Sequence, residues 1–149
     1  MSKEEQLREQ IKRKLHRYTA IRWECRQIVE QREKLRATME APRSQALDGM
    51  PHGSGGGDAM AGLVAELIAL NEKYMAKLNR LNAALKEVED MIDGLEDPTE
   101  RRLMRYRYIN GLVWEEVCVE MNYSWRQTHR IHGQALDKLV AAEMEKVET

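Results

Sequence analysis

DPTERRLMRYRYINGLVWEEVCVEMNYSWRQTHRIHGQALDKL, residues 97–139, holds the marks of three successive helices in 43 residues. Pro98 suits a first helical turn, and Leu103, Met104, Tyr106 and Ile109 follow at helical spacing. Gly111, after Asn110, reads as a left-handed stop. Trp114 to Met121 makes a short helix with Trp114, Val117, Cys118 and Met121 on one face. Asn122-Tyr123 is a tight connection, because Asn tolerates the left-handed conformation that a sharp turn between helices needs. Ser124 is an N-cap for a longer helix to about Lys146, with Thr128, Ile131, Ala135 and Leu139 near one face. A short helix, a left-handed turn residue and a capped helix with a polar first turn describe a helix-turn-helix. Val113 is a weak start for the short helix, which must lean on packing through Trp114.

Upstream the pattern is simpler. Lys3 to Glu40 contains no Gly or Pro, and steps of three and four give Leu7, Ile11, Lys14, Tyr18, Ile21, Cys25, Ile28, Arg32, Leu35 and Met39. That is a coiled-coil seam, with Lys14 and Arg32 as its polar members. Residues 41–57 hold Pro42, Pro51 and a run of glycines and read as a flexible loop. Gly55-Gly56-Gly57 is not followed by Lys-Ser/Thr, so it is a linker rather than a phosphate cradle. Asp58 is expected to cap a second helix, and its seam runs Met60, Leu63, Leu67, Leu70, Tyr74, Lys77, Leu81, Ala84, Val88, Met91, Leu95. Leu78, Leu85 and Ile92 widen it, as when a helix also touches a third element. Asp97-Pro98 is expected to end this helix.

Two arms of similar length, each roughly 57 Å by helical rise, joined by one loop suggest an antiparallel hairpin. Residues 1–40 carry 11 basic and 7 acidic side chains, and residues 58–97 carry 4 and 9. Opposite balances favour pairing the two arms with each other over pairing like with like, although seams of this kind also join separate chains. The expected fold is all-α: a long antiparallel helical hairpin over residues 1–97, with its loop at 41–57, followed by a helix-turn-helix domain over 98–149.

Composition agrees. Ala, Glu, Lys, Leu and Arg make up 72 of 149 residues, while Ile, Leu and Val total only 30 and Phe is absent. This is the signature of long helices with narrow seams and argues against a β-sandwich, a doubly wound α/β enzyme or a disulfide scaffold. Met1 to Lys14 is charged from its third residue and lacks an apolar signal region. The uncharged stretch Ala59–Ala65 is too short to span a membrane. Cys25 and Cys118 read as reduced packing residues in a cytoplasmic protein. Carboxylates are spread along helix faces with no activated nucleophile, so no enzyme is expected. His129, His132 and Cys118 lack a fourth metal ligand, and no cofactor is expected.

The C-terminal motif resembles region 4 of bacterial sigma factors in Arg107-Tyr108, Gly111, Glu115-Glu116-Val117-Cys118, Ser124 and Ala135-Leu136 with Leu139. Cys118 and Asn122 stand where that pattern has a small Ala and often a Gly. The whole chain is similar to small phage late-transcription activators of the RinA and ArpU type, which join an N-terminal helical region to a sigma-like helix-turn-helix. The resemblance implies a DNA-binding transcription regulator of phage late genes, working with the RNA polymerase of a bacterial host. The residues suggest the reading surface. Ser124, Trp125, Arg126, Gln127, His129 and Arg130 lie on the first turns of the last helix. Arg suits guanine and phosphate, and Gln suits adenine, in the major groove of double-stranded DNA. Arg101, Arg102 and Arg105, with Arg107, form a basic cluster suited to phosphates, or to a solvated helix face. His132 is expected to face the interior and bond a neighbour.

Residues 98–149 balance eight basic against eight acidic side chains, so DNA binding by the isolated module should be modest. Affinity must then come from a homo-oligomer or from docking on a larger machine. Two other readings share the motif: a coiled-coil DNA-packaging adaptor that builds a ring, and a sigma mimic that captures polymerase.

Overall fold

The computed structural model describes residues 1–41 and 55–148. Five helices follow in order: α1 (Lys3–Glu40), α2 (Gly55–Asp93), α3 (Pro98–Tyr108), α4 (Trp114–Met121) and α5 (Trp125–Glu148). There is no strand among the described residues, and the fold is all-α as expected. None of the described helices is long and apolar enough to cross a membrane.

A capping box starts α1. The Ser2 hydroxyl accepts from the Glu5 amide at 3.2 Å and the Glu5 carboxylate accepts from the Ser2 amide at 2.8 Å. The ends of α2 differ from the sequence expectation. The helix begins at Gly55, so Asp58 sits inside its first turn, where a negative charge suits the exposed amides, instead of capping it. Residues 42–54 of the expected loop lie outside the described residues. At its other end α2 stops at Asp93, four residues before Asp97. Gly94 and Leu95 turn back onto the last carbonyls of the helix, with Leu95 N donating to Ile92 O at 3.0 Å, and Leu95 is driven into the core. Asp97 instead caps α3: its carboxylate accepts from Thr99 N at 2.8 Å, with Pro98 at the first helical position.

By packing, the chain divides within α1 and α2 rather than at Pro98. One compact unit is Met1–Ile21 with Leu81–Thr149, and the other is Arg22–Arg80. In the second unit two helices run antiparallel. Lys77 Nζ meets Glu24 at 2.6 Å, and Arg32 donates to Asn71 at 3.3 Å while lying 5.0 Å from the Tyr74 ring centroid. The polar seam residue Arg32 therefore has partners across the pair. A two-helix layer buries little: Cys25 and Ile28 are buried, while Leu35, Met39, Leu63, Leu67 and Leu70 are half-exposed.

The first unit holds the main core. Ile11, Leu15 and Tyr18 of α1 and Val88, Ile92 and Leu95 after them join Leu103, Met104, Val117, Ile131, Ala135 and Leu136 in one buried cluster. Two residues of the extra stripe on α2 are accounted for here: Ile92 is fully buried and Leu85 packs against the same cluster, while Leu78 belongs to the other unit. Lys14, the other polar seam residue, reaches Glu87 at 3.8 Å, and Arg17 reaches the same carboxylate at 3.6 Å.

Glu100 is the one charged residue in this core among the described residues, and it is only 2% exposed. Both its oxygens accept from Lys138 Nζ, at 2.7 and 2.9 Å, tying α3 to α5. Removing the cation strands a buried carboxylate, whereas neutralising the carboxylate leaves a lysine that water can solvate. Lys138→Met should therefore lower the melting temperature more than Glu100→Gln does, a ranking that thermal denaturation followed by circular dichroism will check.

Candidate nucleic-acid interface

The turn between α4 and α5 is built by Asn122. It adopts φ 59° and ψ 43°, the left-handed conformation anticipated for it. Its amide donates to Val119 O at 3.2 Å and the Tyr123 amide donates to Cys118 O at 3.1 Å, a Schellman closure of α4. Ser124 follows at once, and its hydroxyl accepts from Gln127 N at 3.1 Å. Thr128, Ile131 and Ala135 then point inward, which forces the opposite side of the first turns of α5 to solvent.

The start of α4 is held from outside. Val113 offers no side-chain acceptor, but Glu116 accepts from its amide at 3.2 Å. Gly111, at φ +73°, brings the chain round, and Arg107 donates to Leu112 O at 2.9 Å while stacking 4.8 Å over Trp114. Packing through Trp114 therefore stands in for the missing cap.

The residues singled out in the sequence divide into three groups. Arg126 and Arg130 are exposed and Gln127 is half-exposed, and with Ser124 they line one shallow depression at the start of α5. Trp125 is 53% exposed, its ring 4.3 Å from that of His129. His129 is only half-exposed. It lies between Trp125 and Trp114, whose ring is 4.5 Å away on the other side, and its Nε2 is buried without a hydrogen-bond partner among the described residues. In the basic cluster, Arg101 donates to the carbonyls of Leu95 and Glu96 at 2.7 and 2.8 Å and so fastens the α2–α3 connection. Arg102 is exposed beside Tyr106, and Arg105 is exposed 3.9 Å from Glu89.

Behind the exposed turns runs a column of rings that sequence reasoning did not assemble. Trp125, His129, Trp114, His132, Tyr108 and His16 follow one another with centroids 4.3–5.8 Å apart. Trp125 and His129 are four apart on one helix, so that contact was readable. The contributions of Trp114, Tyr108 and His16 come from three other elements and carry no local signal. His132 bonds Tyr108, as anticipated: the phenol oxygen and Nε2 are 2.6 Å apart.

Burial, reinforced by His129, Arg107, Lys12 and Arg8, pushes the His132 imidazole down to about 4, and burial lifts Tyr108 to about 12. The tautomer of the neutral imidazole sets the direction of this bond: the Tyr108 hydroxyl donates when Nε2 carries no proton. His16 is also lowered, by burial and then by Arg107 and Lys12. Both shifts have one sign for stability. The unfolded chain binds protons more readily than the folded one, so stability present above pH 6.5 is lost as pH falls towards 4. The loss assigned to His132 is on the order of 3 kcal/mol. Urea denaturation at a series of pH values should show this slope in the native chain and a flatter one in His132→Gln.

The model of a family described as a protein of unknown function, DUF1492, matches residues 54–140. That span takes in α2, α3, α4 and most of α5, and the chain belongs to this family. No curated protein and no solved structure matches it.

Proposed function

For this DUF1492-family chain we propose sequence-specific binding of double-stranded DNA by the first turns of α5, in the service of transcription regulation. The supporting observation is the arrangement at Ser124. A left-handed Asn122 and a capped helix start present Arg126, Gln127 and Arg130 together on one exposed surface. Arginine forks match guanine and phosphate, glutamine matches adenine, and a helix N-terminus favours phosphate. Trp125, propped by His129, offers an apolar face for a thymine methyl group or a sugar. His129 acts as the prop rather than as a reader, because its imidazole is held between two indoles. Arg102 and Arg105 supply phosphate contacts beside the reading turn, and Arg101 serves the fold.

The similarity of the whole chain to phage late-transcription activators extends this reading. The regulator acts in the cytoplasm of a bacterial host beside RNA polymerase, by binding and without catalysis. The near-neutral module fits a protein that relies on a further contact for affinity. Mobility shifts over the intergenic DNA of the parent genome test the reading. A preferred fragment, bound less by Arg126→Ala and Arg130→Ala, is the expected result. Equal binding to every fragment, indifferent to both changes, overturns it.

A further inference from the structure

Of the exposed apolar side chains that the reading surface does not use, two groups stand beside charges of opposite sign. On α1, Trp23 is 61% exposed. Along the helix it is flanked by Arg22 and Arg26, and the neighbouring acid, Glu24, is engaged by Lys77. Arg26 is exposed one turn further along the helix. At the start of α4 Val113 is 50% exposed, and on the helix Val119 is 77% exposed. Leu112 and Val119 form the apolar lining of a shallow depression whose other residues are Glu115, Glu116 and Glu120. The eight residues of α4 include those three acids and no base.

One feature is an indole knob flanked by arginines, and the other is an aliphatic depression among glutamates. We propose that Trp23 of one copy of this chain seats on the Leu112–Val119 depression of a second copy, with Arg26 facing the α4 glutamates. Tryptophan and arginine are the side chains that most often anchor protein interfaces, in apolar pockets fringed by polar groups. Opposite charge balances set the pairing and disfavour Trp23 against Trp23 or α4 against α4. The acidic depression repels nucleic acid, and a duplex backbone gives an indole no apolar floor, so a second copy fits better than DNA on either surface. The contact is heterologous: each chain carries both halves, and copies join head to tail. This association stands independently of the DNA reading.

Light scattering on the eluting full chain, from low micromolar concentration upward, tests it. The native mass should rise above the 17.4 kDa of one chain. Trp23→Ala and Val119→Arg should each weaken association about tenfold or more. Mixing the two variants should restore a two-chain species, because one intact knob then meets one intact depression. Both positions are more than half exposed, so circular dichroism should show unchanged helicity. If either variant unfolds, Trp23→Gln and Val119→Thr replace it. A native chain that stays monomeric, variants that associate like the native chain, or a mixture that stays monomeric would each overturn the proposal. So would a monomeric native chain whose DNA binding is lost with Trp23→Ala, which would assign the basic face to nucleic acid.

Discussion

Leu15→Ala should lower the free energy of unfolding by about 2–5 kcal/mol, the range for a buried leucine truncated without collapse of the site. Leu15 is completely buried, in a cluster with residues of all five helices. Its methyl groups leave water on folding, and truncation leaves a void that the surrounding helices cannot close without moving together. Leu35→Ala is the internal control: the same change on the same helix, at a half-exposed position between two helices only. It should cost less than about 2 kcal/mol, since much of that side chain keeps its water and the remaining space is open to it. Urea denaturation followed by far-ultraviolet circular dichroism measures both. Equal costs would mean that the core around Leu15 is looser than its burial implies.

Leu15 also marks where reading by period reaches its limit. The seam of α1 was legible because a 3.5-residue repeat selects one narrow stripe, and Tyr18, Cys25 and Ile28 of that stripe are buried. Leu15 lies beside the stripe. It is buried because this part of α1 meets a core built from distant segments, a fact of tertiary packing with no local trace. α4 was legible at both ends because two left-handed residues punctuate it, Gly111 before and Asn122 after. The ends of α2 were not. A triple glycine argues against helix, yet α2 starts there, and Pro98 drew attention from Gly94, where the turn takes place.

The candidate site shows the same division. Which residues of α5 face outward followed from placing Thr128, Ile131 and Ala135 inward, so the exposure of Arg126 and Arg130 was readable. The separate tasks of four neighbouring arginines were not. Arg101 and Arg107 serve carbonyls and an indole, while Arg102 and Arg105 stay at the surface. In a sequence they are one basic cluster. They separate only when the α2–α3 connection and Trp114 occupy their places.

On the proposed reading, Arg126→Ala and Arg130→Ala should each weaken binding to a preferred DNA fragment by about 1–3 kcal/mol. Their exposure means that neither change should disturb folding: neither side chain is buried in the core that Leu15 helps to fill. The two effects will not be interchangeable. An arginine that forks onto a guanine edge loses discrimination between fragments when removed, and the change in salt dependence is small. One that rests on a phosphate weakens every fragment alike and lowers the slope of log affinity against log salt by about one. Arg102→Ala belongs to the second class if the exposed part of the cluster clamps the backbone. Fluorescence anisotropy titrations at several salt concentrations, on preferred and scrambled duplexes, separate these outcomes. Trp125→Ala should add a loss specific to thymine-containing steps. His129→Ala should reproduce part of that loss without touching DNA, because the indole would lose the ring 4.3 Å behind it. If His129→Ala instead costs as much as removing an arginine, His129 itself reaches the DNA, and its place between two indoles changes on binding.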